Sequence, residues 1–593
     1  MELKRQMRAL DYFKNLIFSN ENPPPFLTSL EKKPACVPTV STQPLPRSTP
    51  EQQGINSSLL TDFYTQLCQN SVGNPHSCMV LRHGTVISEG YWKPYRADYY
   101  HVTHSLCKSL TGMAIGLLIE DGLLLETDKI ADIFSDKITL LTSRNMRSVT
   151  VEHLLTMTSG AKFNEGHSVI DNDWVKSYFN ADTAGVPGTK FNYNSLNTYM
   201  LSAIVQRKTG KTLHAFLTER LFFPMGIENT WWEKCPMGIC KGGWGFYLKT
   251  EDMAKLGLLY MQKGMWQGRQ LINSAWVEKA TVLHSKGEKE DECGYGYQLW
   301  IMEEPKGYIY NGLFGQYVVC MPQQDIVLVI TAGSENLFIN SAVFSIFTKT
   351  FHADFSNQPL PRNYLAYKSL TQLCSQLTYG KALLPSSPSL IQKLQHFFSK
   401  PKADATYNTC KALHNRTYYF DGRAGILPLI AQAMMGCYAG FAEKINFSFD
   451  PEGKGLCMNL TEAGILHEIL IGFEPQPAYS LLHFACGDYT VGTRGLFTHD
   501  EDGHLVLKLW ISFIELTSTR TLKLFFIDDE TLVVKYGEEP SVETAILKLR
   551  EVDGLMDLPL PGELFSITEN EYIDYRFNKL VAPVLTGKTK KEA

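Results

Sequence analysis

A chain of 593 residues is too long for one hydrophobic core, so about two to four domains are expected. Its 44% hydrophobic and 12% aromatic content excludes a disordered chain, and 56 basic against 61 acidic residues with no basic stripe excludes a nucleic-acid binder. No apolar run approaches about 18 residues, which excludes a membrane-spanning helix, and the 13 cysteines lack the paired spacing of a zinc site.

Residues 1–50, rich in Pro, Ser and Lys, predict a partly irregular leader. The N-terminus lacks the apolar stretch and small-residue cleavage site of a signal peptide. With an odd, unpatterned set of cysteines this predicts reduced thiols and a cytoplasmic chain.

"SCMVLRHGTVISEGYW" (77–92) is two β-rich runs around His83-Gly84, a hairpin. A helix is predicted from about 105 to 120, where Leu106, Leu110, Met113, Ala114, Leu117 and Leu118 recur at three- and four-residue steps. Further helices are predicted at 150–160, capped by Thr150 and stopped by Gly160, at 194–210, ended by Gly210, and at 250–264, capped by Thr250. Strands return at 295–302, 315–322 and 325–333. Residues 51–355 therefore read as an α+β domain with an antiparallel sheet.

Residues 356–410 form a mixed connection. From about 411 the texture changes to a short helical run, "LPLIAQAMMGCYAG", and then alternating strands separated by turn clusters such as "DPEGKG" and "DEDG". This predicts an antiparallel β-rich accessory domain over 411–593.

The chemistry concentrates at "HSLCKSL" (104–110). A serine hydroxyl needs a proton acceptor to become a nucleophile. Ser105 and Lys108, one helical turn apart, share a face, so the amine stands beside the hydroxyl without long-range folding. The start of a helix also supplies backbone N–H groups for an oxyanion. "PGTKFNYNSLNTY" places Tyr193 in a loop before a helix, where a phenol near a lysine can act as general base. No GxSxG elbow is present, and His101 and His104 lack triad partners in the sequence.

At these residues the sequence resembles the serine β-lactamase/penicillin-binding-protein-like family, in its class C-like branch of esterases and 6-aminohexanoate-dimer hydrolases. The likeness rests on four stretches in order over about residues 55–350: "HVTHSLCKSLTGMAIGLLIEDGLLLETDKIADIF", "VTVEHLLTMTSG", "PGTKFNYNSLNTY", and the Pro-Met-Gly-Ile turn of "LFFPMGIENTWW". It implies an antiparallel sheet flanked by helices, with an inserted helical lobe. It implies Ser105 as nucleophile, Lys108 as its proton relay and Tyr193 as the acid/base for the leaving group. It implies no cofactor and no metal, and a small ester or amide as substrate.

Two departures carry meaning. The usual Tyr-x-Asn reads Tyr193-Asn194-Ser195, so Ser195 takes the Asn position and Asn194 or Asn197 can stand in. The third motif usually carries a Lys or His before Thr/Ser-Gly. Lys208-Thr209-Gly210 closes a helix, and Thr586-Gly587-Lys588 falls in a polar tail. The segment in the right place, "NGLFGQYVVCMP", has no cation. Gly312 and Gly315 permit close backbone approach, and an N–H from Leu313 to Gln316 is the expected partner of Ser105 in the oxyanion hole. Asp171 falls where the resemblance places a substrate-facing loop, and Trp244 is a candidate lining residue of an apolar pocket. Without the cation that pairs with a β-lactam carboxylate, β-lactamase or D,D-peptidase activity ranks below hydrolysis of a neutral ester or amide. A non-catalytic binding protein is the third reading, opposed by the joint presence of Ser105, Lys108 and Tyr193.

Overall fold

The computed structural model describes residues 31–70, 72–163, 172–287, 293–336, 341–379, 402–421, 424–435, 440–450, 455–473, 476–542 and 582–589. The first strands, β1 (Pro75–Arg82) and β2 (Thr85–Tyr91), form the expected hairpin. His83 and Gly84 take φ of 49° and 69°, the double positive φ of a turn whose twist suits two antiparallel strands. Next, β3 (His101–Val102), β4 (Trp231–Trp232) and β5 (Phe246–Leu248) make a small sheet in the order β3-β5-β4. A two-stranded ribbon follows, β6 (Met265–Trp266) with β7 (Arg269–Gln270). Strands β8 (Gly294–Tyr295), β9 (Trp300–Met302), β10 (Gly307–Gly312), β11 (Gln316–Met321) and β12 (Ile326–Ala332) return to the first hairpin. The result is a seven-stranded antiparallel sheet, β2-β1-β12-β11-β10-β9-β8.

Helices cover both faces of this sheet, so its central strands are buried along their length and read in sequence as unbroken apolar runs. Alternate residues still serve opposite faces. Val80, Val319 and Leu328 pack with the helices Ser57–Gln69 and Ala342–Phe351, while Leu81, Val318 and Val327 pack with Cys107–Glu120 and Thr250–Met261. The helix Cys107–Glu120 has twelve of its fourteen residues buried, as its apolar sequence requires.

Several predicted ends move. The 105–120 helix opens at Cys107, and Ser105 lies in a preceding single turn, His104–Leu106. Thr150 caps as expected, but its helix is only Val151–Leu155 and ends before Gly160. The helix Thr250–Met261 has Lys249 at its cap position; Thr250 instead shares a hydrogen bond with the Ser77 hydroxyl at 2.8 Å. Gly210 ends the helix Ser195–Thr209 in the left-handed conformation, φ 71°, as expected.

The second half is a ten-stranded antiparallel sheet. Its strands are β13 (Thr417–Phe420), β14 (Ala442–Asp450), β15 (Gly455–Glu462), β16 (Ile465–Ile471), β17 (Ala478–His483), β18 (Asp488–His499), β19 (Leu505–Phe513), β20 (Thr519–Phe526), β21 (Thr531–Glu539) and β22 (Val584–Lys588). The order is β16-β15-β14-β13-β22-β21-β20-β19-β18-β17. The two end strands meet where Leu470 N–H donates to Ser480 Oγ at 2.9 Å, so the sheet curls into a near-barrel. Clean alternation, as in β15, turns one face of each strand to the interior. Thr586-Gly587-Lys588 is not a polar tail: it lies in β22, paired on both sides by β13 and β21. Eleven of the described cysteines are free, but Cys486 is disulfide-bonded, against the expectation of reduced thiols throughout.

Two buried charge systems fix this half. Lys33, from the leader, forms an ion pair with Glu515, and both side chains are almost fully buried. The ammonium also faces the rings of Tyr489 at 4.4 Å, Tyr100 at 5.2 Å and Tyr247 at 5.4 Å, so leader, first half and near-barrel meet around one cation. Inside the near-barrel, Arg520 pairs with Glu538 at 3.1 Å and donates to Gly425 O at 3.0 Å. Glu538 accepts from the N–H groups of Leu429 at 2.7 Å and Ile430 at 3.1 Å, the first residues of the helix Leu429–Met435. Glu462 accepts from Ile426 N–H at 3.0 Å, and burial pushes its carboxyl up to about 8.

Removing one member of a buried pair strands the other charge. Lys33→Met is therefore expected to lower stability by about 3–5 kcal/mol in urea denaturation, and adding Glu515→Gln to restore part of it. A second expectation concerns pH. Folded Glu462 keeps its proton to about pH 8, whereas its ordinary value is 4.5. Between these the folded chain binds the extra proton, so its contribution to stability is greatest at the acid end and falls as pH rises, by up to about 1.4 kcal/mol per unit. Glu462→Gln should flatten that slope, which melting curves at about pH 5 and pH 8 would reveal.

Candidate active site

The site begins where β3 leaves the small sheet. Thr103 is clamped to β5, its N–H 2.8 Å and its hydroxyl 2.9 Å from Phe246 O. His104 then takes φ 47°, a left-handed conformation that is costly for a residue with a side chain. The chain turns sharply and presents Ser105 ahead of the long helix. The His104 ring is buried, edge-on to Phe314 at 5.4 Å between ring centres, and its Nε2 lies 3.5 Å from Thr517 Oγ1. Burial, His101 and Lys108 hold this imidazole down to about 3, so it is neutral and unsuited to act as a cationic acid.

One turn further on, Lys108 Nζ lies 2.8 Å from each of three oxygens: Ser105 Oγ, Ser195 Oγ and the carbonyl of Gly243. It also stands 4.9 Å from the centre of the Tyr193 ring. That ring is held by Trp300, stacked at 5.7 Å, and by Tyr295, edge-on at 6.3 Å. Ser105, Tyr193 and Ser195 thus converge on Lys108. The chain brings Ser195 there as the first residue of its helix. Asn194 caps that helix and ties down the loop before it, donating to Ala161 O and Phe163 O at 2.9 Å. Asn197 is turned away, accepting from Ser159 and Tyr178 at 2.7 Å.

The β10–β11 turn closes the other side. A Cβ on Gly312 would overlap the carbonyl oxygen of Thr103, so only glycine lets this strand approach the Ser105 turn so closely. Leu313, Phe314 and Gly315 form the turn, the last two at φ 63° and 88°. Gln316 is fully buried, and its amide donates to Leu313 O, Phe314 O and Ala332 O at 3.1, 3.2 and 2.7 Å. Its side chain is therefore a brace for the hairpin and not a substrate group.

Trp244 is buried and stacked on Trp174 at 5.8 Å, and it follows the carbonyl that Lys108 holds. Asp171 lies outside the described residues. Nearby Asp173 caps the helix Trp174–Phe179 and pairs with Lys137 at 2.7 Å. Cys107 is packed, and burial pushes its thiol up to about 12. Among the described residues the metal-like cluster Asp500, Asp502 and His504 is a turn, in which Asp500 accepts from the His504 N–H at 2.8 Å.

Sequence reasoning missed Gly243 and the contribution of Thr517. Gly243 had a signal in the pair Gly242-Gly243: an added Cβ would lie 2.9 Å from Ser195 O, so glycine lets the third oxygen reach the lysine. Thr517 had none, because nothing local in a β hairpin announces a contact more than 400 residues away. Gly312→Val is expected to force this junction apart and to cost about 1–3 kcal/mol in thermal unfolding.

Residues 77–337 match the family model described as Beta-lactamase. An uncharacterized protein of Alkalihalophilus pseudofirmus is 22% identical over 294 residues, 43% of this chain and 82% of that one. The 6-aminohexanoate-dimer hydrolase of Paenarthrobacter ureafaciens is 25% identical over 284 residues, 42% of this chain and 70% of that one. Of solved structures, a Bacillus anthracis protein provisionally named as a 6-aminohexanoate-dimer hydrolase is 19% identical, covering 55% of this chain and 90% of that one with a TM-score of 0.44. No helix among the described residues is long and apolar enough to cross a membrane.

Proposed function

We propose that this chain, whose residues 77–337 form a domain of the β-lactamase family, is a serine hydrolase that cleaves a small ester or amide through an acyl-enzyme on Ser105. The observation that carries the reading is the 2.8 Å contact between Lys108 Nζ and Ser105 Oγ, inside a site that also holds Tyr193 and Ser195.

The hydrogen bonds of Lys108 fit both of its protonation states. As an ammonium it has three N–H donors for its three oxygens. As an amine it keeps two, to Ser195 and Gly243, and its lone pair receives the Ser105 proton without any heavy atom moving. Ser105 Oγ then bonds to the substrate carbonyl carbon. The tetrahedral oxyanion is held by the Ser105 N–H and an N–H of the Leu313–Gln316 turn. The proton passes by way of Tyr193 to the departing alcohol or amine as its bond to carbon breaks. Water repeats the sequence in reverse, releasing the acid and returning the proton to Ser105. Neutral esters and amides suit the site better than β-lactams, because the β10–β11 turn beside Ser105 carries no cation for a substrate carboxylate. The printed name of the Paenarthrobacter relative, a 6-aminohexanoate-dimer hydrolase, agrees with a hydrolase.

The test is a panel of p-nitrophenyl esters, aminoacyl amides and nitrocefin, together with a fluorophosphonate probe. Labelling of wild type and its loss in Ser105→Ala are expected. Lys108→Ala and Tyr193→Phe should each lower kcat for esters by about 10²–10⁴-fold. Labelling that survives Ser105→Ala would place the nucleophile elsewhere.

A further inference from the structure

The near-barrel reaches the nucleophile turn through one hairpin. Residues 514–518 join β19 to β20, and all five are buried. Their shape is set from within the near-barrel. Ile514 N–H donates to Thr490 O at 3.0 Å, and Leu516 N–H to Phe513 O at 2.9 Å. The Glu515 carboxylate accepts from Thr490 N–H at 2.9 Å while it pairs with Lys33.

From this base the hairpin touches the supports of both oxyanion donors. On the Ser105 side, Val102 N–H donates to Glu515 O at 2.8 Å, and Thr517 Oγ1 lies 3.5 Å from His104 Nε2. The torsions of His104 orient the next peptide plane, which carries the Ser105 N–H. On the other side, the Thr517 carbonyl lies against Gly333, where a Cβ would stand 2.4 Å from its oxygen. The following residue, Ser334, donates its N–H to Phe314 O at 3.0 Å. Phe314 belongs to the β10–β11 turn, and its ring is the one that meets His104.

We propose that Thr517 is a positioning residue for the hydrolytic reaction, through which the near-barrel holds the Ser105 N–H and the Leu313–Gln316 turn in register as one oxyanion hole. The proposal rests on the hydrolase reading above. Left-handed His104 persists only where its surroundings over-determine it, and Thr517 and Phe314 are two of those surroundings. The proton path has separate supports: Lys108 is held by Ser105, Ser195 and Gly243, and the Tyr193 ring by Trp300 and Tyr295. Loosening the hairpin therefore weakens the hold on the oxyanion and leaves proton transfer in place.

The experiment uses the full chain as wild type, Thr517→Val, Thr517→Ser and Gly333→Ala, each checked by circular dichroism. It measures kcat and KM for p-nitrophenyl acetate, the pH dependence of kcat/KM and the rate of fluorophosphonate labelling. Thr517→Val removes the hydroxyl at nearly constant size, and Gly333→Ala wedges a methyl group against the Thr517 carbonyl. Each should lower kcat by about 10–100-fold and slow labelling, with KM changed by less than about twofold. The pH dependence should keep its shape, and Thr517→Ser should recover most of the loss. Folded Thr517→Val with wild-type kcat would overturn the proposal. So would a loss in Thr517→Ser equal to that in Thr517→Val, or a displaced pH profile, which would put the hairpin on the proton path. Absence of labelling and of ester turnover in wild type would instead remove the hydrolase reading itself. If Gly333→Ala does not fold, the two Thr517 variants decide.

Discussion

A single buried amine, held by three neutral oxygens, is the constraint around which the catalytic half is arranged. Lys108 is almost completely buried, and a buried cation without hydrogen-bond partners would be prohibitively costly. The partners come from three places in the chain: the turn that carries Ser105, the first residue of the helix Ser195–Thr209, and the loop at Gly243. Each is fixed by its own local device. These are the Thr103 clamp and left-handed His104, the Asn194 cap, and a glycine that admits close approach. Since all three acceptors are neutral, the same heavy-atom geometry serves the charged and uncharged lysine. That suits the proton relay proposed for Lys108, and an ion pair at the same position would prevent it.

Much of this was legible in the sequence where the signal is local. Ser105 and Lys108 declare themselves by spacing, and the structure places them in contact. The His83-Gly84 hairpin and the Gly210 helix end follow from backbone preferences that depend on two or three residues. Reading failed where the deciding partner is distant. Thr250 looks like a helix cap, but a strand residue, Ser77, claims its hydroxyl. Thr586-Gly587-Lys588 looks like tail because five residues show little pattern, and only β13 and β21 on either side make them a strand. β18 is hard to read in sequence for a related reason: Gly492 and Gly495 interrupt its apolar alternation, and they are tolerated because Pro94 and Ile471 fill the space where a side chain would be. Gln316 was legible as a position but not as a role, since only the fold shows its amide already taken by the hairpin.

The junction between the halves follows a different rule from the cores. Cores are held by apolar volume, which is strong but says little about register. At the junction the chain instead buries charge, Lys33 with Glu515 within three tyrosine rings, and inside the near-barrel it buries Arg520 with Glu538 beneath the helix Leu429–Met435. Buried ion pairs add little net stability compared with apolar residues of the same size. What they do is penalise every arrangement in which a partner is missing. Sliding the near-barrel by one residue would strand Glu515, and shifting the 424–435 segment would remove the two N–H donors that Glu538 accepts from. The leader, which has no regular secondary structure over residues 34–46 to place it, acquires a fixed position from the same pair.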